Sequence, residues 1–293
     1  MDRIFFGDNQ FFGVNHMSEE KARQQLMKFQ NINSIVDVLY DAYDCGVTGF
    51  MCTTHERMIE VVDIVKSDPK KWENLRFYPG MPYAHKYANA MTELGPFEAL
   101  KQFLPNDGLI DTMMRGSKAL FTRDVESVVT LLIDAEMKAF DGLKTPIIFL
   151  QNIVTDLILG MGYFDAFAIF ANHIKKKYGA EPGFFTMNLP MILPALQKAG
   201  VENPIVCANV NKIAFRMSGG VDAYRRATDA YPARVIAMSV LASGALPARE
   251  AIEWVVNEPY VASILFGASS RRNIESTVNL IHELDAKRLA AVA

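Results

Sequence analysis

Near its end the chain reads Arg234-Val-Ile-Ala-Met-Ser-Val-Leu-Ala-Ser-Gly244, then a helical pattern, then Ser263-Ile-Leu-Phe-Gly-Ala-Ser-Ser-Arg-Arg-Asn-Ile-Glu275. Two short apolar runs each stop at a turn of small residues, and each turn opens an amphipathic helix. A run this short, apolar on nearly every residue, suits a strand covered on both faces, the situation of a parallel sheet. Parallel neighbours need a crossover of a dozen or more residues, which a helix supplies. Strand–turn–helix units in series restrict the chain to a doubly wound sheet or a closed barrel.

The same unit recurs along the chain. Strands are expected at Arg3–Gly7, Thr48–Thr54, Leu75–Tyr78, Pro146–Asn152, Gly183–Asn188, Pro204–Asn211, Arg234–Val240 and Ser263–Gly267. Pro79-Gly80 is the expected stop of the third. The helices between and after them fall at Ser34–Cys45, His55–Lys66, Val125–Phe140, Tyr163–Tyr178, Pro190–Ala199, Val221–Ala230, Pro247–Val256 and Asn273–Leu284. Long connections follow strand one, with a small helix opened by Ser18, and strand three, from Pro82 to about Arg123. Eight alternations without a glycine-rich dinucleotide fingerprint favour the α/β class as a (β/α)8 TIM barrel, one domain spanning residues 1–293.

Composition removes several classes. A formal charge of −3 gives no reason to expect nucleic acid or an anionic membrane as partner. Three cysteines without a CxxC pair argue against a disulfide framework or structural zinc. No apolar run reaches 18 residues, and the start lacks a signal-peptide pattern, so a cytoplasmic, soluble protein is expected. A small-molecule ligand is the expected partner, and a homo-oligomer is compatible with the sequence.

Function in such a barrel sits on the loops after the strands. Those positions carry Asp8, Asn9, His55, Tyr83, His85, Lys86, Gln151, Asn152, Asn188, Asn209, Asn211, Ser239, Gly267, Ser269, Ser270 and Arg271. Amides and hydroxyls on this scale suit a polar ligand held by hydrogen bonds, substrate-binding roles falling to Asp8, Asn9, Gln151, Asn152, Asn188, Asn209 and Asn211. The same residue types also cap helices and close turns. Proton transfer is assigned to His16, His55, Tyr83, His85 and Lys86. His16, His55 and His85 follow strands one to three, but their spacing fits no metal motif, and no metal is expected. At Gly267-Ala-Ser-Ser-Arg271 a helix N-terminus, two hydroxyls and a guanidinium suit a phosphate.

From Pro146 to Ile281 the chain resembles a distant aldo-keto reductase. Gly183–Asn188 is similar to the family's "G-x-x-S-N" strand and Ala237–Gly244 to "a-Y-S-P-L-x-x-G". Ala251–Thr277 is similar to the helix and turn that end in "G-A-S-S-x-x-x-l-x-E-N". The resemblance implies a barrel, with NADP as the candidate cofactor at Ser239, Gly267, Ser269, Ser270 and Arg271. It also implies a Tyr-Lys-Asp-His tetrad, whose positions here correspond to Glu56, the Tyr78-Pro-Gly stretch, Met51 and Gln151. The family mechanism cannot operate through these residues, since a methionine cannot orient a lysine and a glutamine cannot exchange a proton at neutral pH. The aromatic that stacks on nicotinamide corresponds to Met238, and the amide partner on strand six to Cys207. The expected function is therefore an enzyme acting on a small polar or anionic metabolite by another mechanism. An NADPH-dependent oxidoreductase with a substituted proton donor, or an inactive barrel serving as a binding subunit, are the alternatives.

Overall fold

The computed structural model describes residues 1–13, 19–83 and 125–292. Eight parallel strands close into one barrel in sequence order: β1 (Ile4–Gly7), β2 (Gly49–Thr53), β3 (Arg76–Met81), β4 (Ile147–Leu150), β5 (Glu181–Thr186), β6 (Ile205–Asn209), β7 (Arg234–Met238) and β8 (Val261–Phe266). Closure comes from β1 pairing with β8, Phe5 opposite Leu265. The described helices are α1 (Glu19–Lys28), α2 (Ile32–Asp44), α3 (Glu56–Ser67), α4 (Val125–Met137), α5 (Asn152–Met161), α6 (Asp165–His173), α7 (Leu189–Lys198), α8 (Gly220–Ala230), α9 (Ala248–Val256) and α10 (Arg271–Val292). The (β/α)8 class expected from the sequence is the observed one.

Alternation along each strand divides the apolar residues between two cores. Inward residues Phe5, Met51, Tyr78, Ile147, Phe149, Ile205, Cys207 and Ile236 form a buried plug, with half-buried Phe185, Met238 and Leu265 packed on it. Outward residues such as Phe6, Phe50, Phe77, Ile148, Phe184 and Val206 meet the helices in the larger outer core. Each such side chain removed from water contributes about 2–3 kcal/mol. The aromatic plug fits because two inward positions are glycine. A Cβ on Gly183 would lie 2.4 Å from two ring carbons of Phe149, and one on Gly80 would lie 2.8 Å from Cε2 of Phe185. Phe149 and Phe185 themselves stack at 4.8 Å. At the barrel's N-terminal end Asp2 bonds Arg76 and the Tyr78 hydroxyl and closes the floor.

Several boundaries differ from the sequence reading. β3 does not stop at Pro79-Gly80 but runs through both to Met81, pairing Cys52 with Pro79 and Gly80 with Phe149. Here the turn signal loses to the packing of Phe185 on the bare Gly80. Strand four ends at Leu150, and Gln151 is the residue before a helix, α5, where a loop is expected. Gly162, at φ 69°, ends α5 in the left-handed conformation. The fourth crossover helix starts at Asp165 and finishes in a π turn, Ile174–Tyr178. Asn188 lies beyond β5, and α10 continues eight residues past the expected Leu284 to Val292. The connection after strand one carries the small helix expected there, α1, and in addition a 3-10 turn, Asn9–Phe12. Most of the connection after strand three, with His85 and Lys86, and His16 and Ser18 after strand one, lie outside the described residues.

Candidate functional site

The barrel mouth is organised by Asp8, the first residue past β1. Its Oδ2 accepts from the Thr53 amide at 2.7 Å and the Thr53 hydroxyl at 2.8 Å, which ties the end of β1 to the end of β2. The side chain is almost wholly buried. Withdrawal from water disfavours the charged form and pushes the carboxyl up to about 6, and the two Thr53 bonds offset only part of that. A carboxyl near 6 exchanges its proton close to neutrality, as a general acid or base must.

Tyr83 and His55 belong to the same mouth. The Tyr83 hydroxyl is held above its ordinary pKa by burial, and secondarily by the Asp8 charge. The Tyr83 amide donates to both carboxylate oxygens of Glu136 at 3.1 Å, and the Thr54 hydroxyl donates to the same carboxylate. Glu136 on α4 therefore fixes the ends of β2 and β3 together from behind. His55 packs between Phe12, at 4.4 Å, and Tyr83, which it meets edge-on at 5.7 Å. Its Nδ1 accepts from the Arg57 amide at 3.1 Å and caps α3. The proton of the neutral ring is thus on Nε2, and burial lowers the imidazole pKa and keeps it neutral. His55 is set to donate from Nε2.

Opposite, the amides are drawn into the scaffold. Asn211 donates to the Phe215 carbonyl at 2.9 Å and accepts the Phe215 amide at 2.7 Å. Asn209 donates to the Arg216 carbonyl at 3.0 Å. Asn188 caps α7 through the Met191 amide at 3.3 Å. Asp156 on α5 accepts from Thr186 and from the Met187 amide at 3.0 Å, and burial raises its carboxyl. Gln151 is buried at the start of α5, Asn152 is half-buried beside it, and Asn9 is exposed in the 3-10 turn.

The turn expected to hold a phosphate has a mixed character. Ser269 and Ser270 are half-buried just before α10, and Lys28 of α1 donates to the Ser269 carbonyl. Arg271 is turned away, paired with Asp41 at 3.3 Å and with Asp44 of α2. Gln10 lies over Gly267, where its Oε1 would be 2.2 Å from a Cβ. Ser239 is half-buried at the end of β7 with φ 55°, and Ala242 and Ser243 follow in the same left-handed region. Each such non-glycine conformation costs about 1–2 kcal/mol, a kind of strain that collects at functional sites.

The residues corresponding to the tetrad are accounted for physically. Met51 is buried in the inner plug, Glu56 is exposed at the start of α3, and Phe185 fills the space above Gly80. The sequence suggests a ligand-binding role for Asp8, and its burial against Thr53 cannot be read from a turn signal. Sequence reasoning passed over Glu136. That residue was legible, since a carboxylate within Leu132, Ile133, Met137 and Phe140 lies on the apolar face of its helix. No group of three or more metal-ligating side chains gathers among the described residues. No described helix is long and apolar enough to cross a membrane.

No protein-family model matches the chain. No curated protein matches it in sequence. Solved structures do match in fold. A thermostable aldo-keto reductase, in complex with the inhibitor epalrestat, superposes at TM-score 0.58 and 11% identity over 98% of this chain and 95% of that one. An aldo-keto reductase of the silkworm Bombyx mori gives TM-score 0.58 and 12% identity over 98% and 84%. An aldo-keto reductase from Brucella melitensis gives 0.54 and 8% over 98% and 95%. At these identities the likeness is one of fold, and the chain is an aldo-keto reductase-like (β/α)8 barrel.

Proposed function

We propose that this barrel is a cytoplasmic enzyme that moves a proton on a small polar or anionic metabolite, with Asp8 as the exchanging acid–base group. The supporting observation is the buried Asp8 carboxyl, raised to about 6, at the mouth that Tyr83 and His55 also line. In this reading Asp8 takes or gives the proton. The neutral His55 donates from Nε2 to the oxygen that gains charge, and Tyr83 orients the substrate. The half-buried Phe185, Met238 and Leu265 form an apolar floor that limits water. The test is to incubate a cell metabolite extract in heavy water with the wild-type chain and with Asp8→Asn, and to profile it by mass spectrometry. The reading expects at least one metabolite to be consumed or deuterated by the wild type alone. Identical profiles for the two proteins would refute it and favour a binding role.

The fold raises a second reading, an NADPH-dependent oxidoreductase. Its phosphate end has counterparts in Ser269, Ser270 and the start of α10, with Lys28 beside them. Its ring end does not, because Met238 stands where an aromatic would stack and Cys207 is sealed in the inner plug. The proposed proton transfer uses no nicotinamide. Quenching or enhancement of NADPH fluorescence at micromolar protein, lost in a Ser269→Ala/Ser270→Ala variant, would restore this reading.

A further inference from the structure

The connection between β6 and α8 is built with unusual care for a surface loop. Asn209 and Asn211, both fully buried, direct their side-chain amides at its backbone. Asn211 holds Phe215 by both its amide and its carbonyl, and Asn209 holds the carbonyl of Arg216. Ser218 donates to the Met187 carbonyl at 2.9 Å and stitches the loop to the end of β5. Between these fixings Ala214, at φ 57°, and Arg216, at φ 54°, are left-handed without being glycine. A strained backbone persists only where its surroundings over-determine it, and here two buried asparagines do so.

The fixed tip presents one side chain of consequence. The Arg216 guanidinium lies 5.6 Å from the Phe215 ring centroid and is exposed. Among the described residues no carboxylate pairs with it. The neighbouring cation of the same loop, Lys212, is neutralised by Glu250 at 2.7 Å. Arg3, Arg76, Arg225, Arg234, Arg249 and Arg271 each hold an aspartate or glutamate. A guanidinium stacked on an aromatic, on a rigid loop and without a counter-charge, is pre-organised to receive two oxygens of a carboxylate or phosphate through its fork.

We infer that Arg216 binds a carboxylate or phosphate group of the substrate at the β5–β6 rim of the mouth. In a ring of eight strands the loop after β6 lies opposite the end of β2, to which Asp8 is tied through Thr53, so the reacting end of the same ligand would face Asp8. The inference rests on the mouth being the active site, and it adds the charge class of the substrate and the residue that selects it.

The experiment uses the full chain and inorganic phosphate as probe, titrated at constant ionic strength and followed by amide NMR. Saturable shifts are expected at residues 215–218. Arg216→Gln should weaken them at least tenfold, and Arg216→Lys, which keeps the charge but not the fork, should weaken them less. Asp8→Asn should leave phosphate binding unchanged, which separates this inference from the acid–base reading. Binding unaffected by Arg216→Gln, shifts confined to residues 269–272, or no saturation would each overturn it.

Discussion

Replacing Asp8 with Asn should stabilise the protein increasingly as pH rises. The buried carboxyl goes from an ordinary 3.8 to about 6 on folding, so the folded chain holds this proton more tightly than the unfolded chain does. A group raised in this way favours folding less as pH climbs between the two values. The penalty is absent below 3.8, grows through the window and is complete above about 6. Two pKa units correspond to about 3 kcal/mol. Asn retains an oxygen acceptor for Thr53 and removes only the charge. The variant should therefore match or fall slightly below the wild type at pH 4, where the carboxyl is largely protonated. By pH 7 it should have gained about 2 kcal/mol relative to that starting point, or about 4 °C in melting midpoint for a chain of this size. Calorimetric scans of both proteins at half-unit steps from pH 4 to 8 measure this, and subtraction cancels the titrations they share. Parallel curves would show that Asp8 has an ordinary pKa. A gain toward acid would show that it is depressed. Either result would refute the electrostatic account of the mouth.

Other consequences are as direct. His55→Ala should remove the cap of α3 and cost about 1 kcal/mol, whereas His55→Asn should restore the cap without an imidazole, as read by urea unfolding. Gly183→Ala should drive a methyl group into Phe149 and cost about 1–3 kcal/mol, and Phe149→Leu in the same chain should recover part of it. Arg225→Ala would leave the buried Glu258 carboxylate without its cation. The loss should be about 2 kcal/mol, below the range for fully buried pairs because Arg225 is half exposed, and Glu258→Gln should relieve it in the double variant.

The eight-strand alternation was legible because strands buried on both faces and amphipathic helices leave distinct patterns at short range. The third strand was misjudged for the opposite reason. Whether Pro79-Gly80 ends a strand depends on Phe185, more than a hundred residues away, which requires a bare backbone at position 80. The helix Asn152–Met161 went unread, although Gly162 ends it in the left-handed conformation that glycine favours. At the site, the residues past the strand ends could be named from the sequence, but not how their side chains are engaged. Sequence cannot show that Asp8 is buried against Thr53, or that Asn211 has both ends of its amide committed to Phe215. Arg271 looked like an anion ligand because the acidic residues it pairs with, Asp41 and Asp44, are distant in sequence.

The most direct test of the central claim is the titration of Asp8 itself. Carboxyl carbon NMR of the protein labelled at aspartate, with the Asp8 signal assigned by its absence in Asp8→Asn, follows the group from pH 3 to 9. A midpoint near 6 is predicted for a carboxyl poised to exchange protons at the barrel mouth. A midpoint at or below the ordinary 3.8 would mean that Asp8 is a permanently charged strut, and the proposed proton-transfer role would fall.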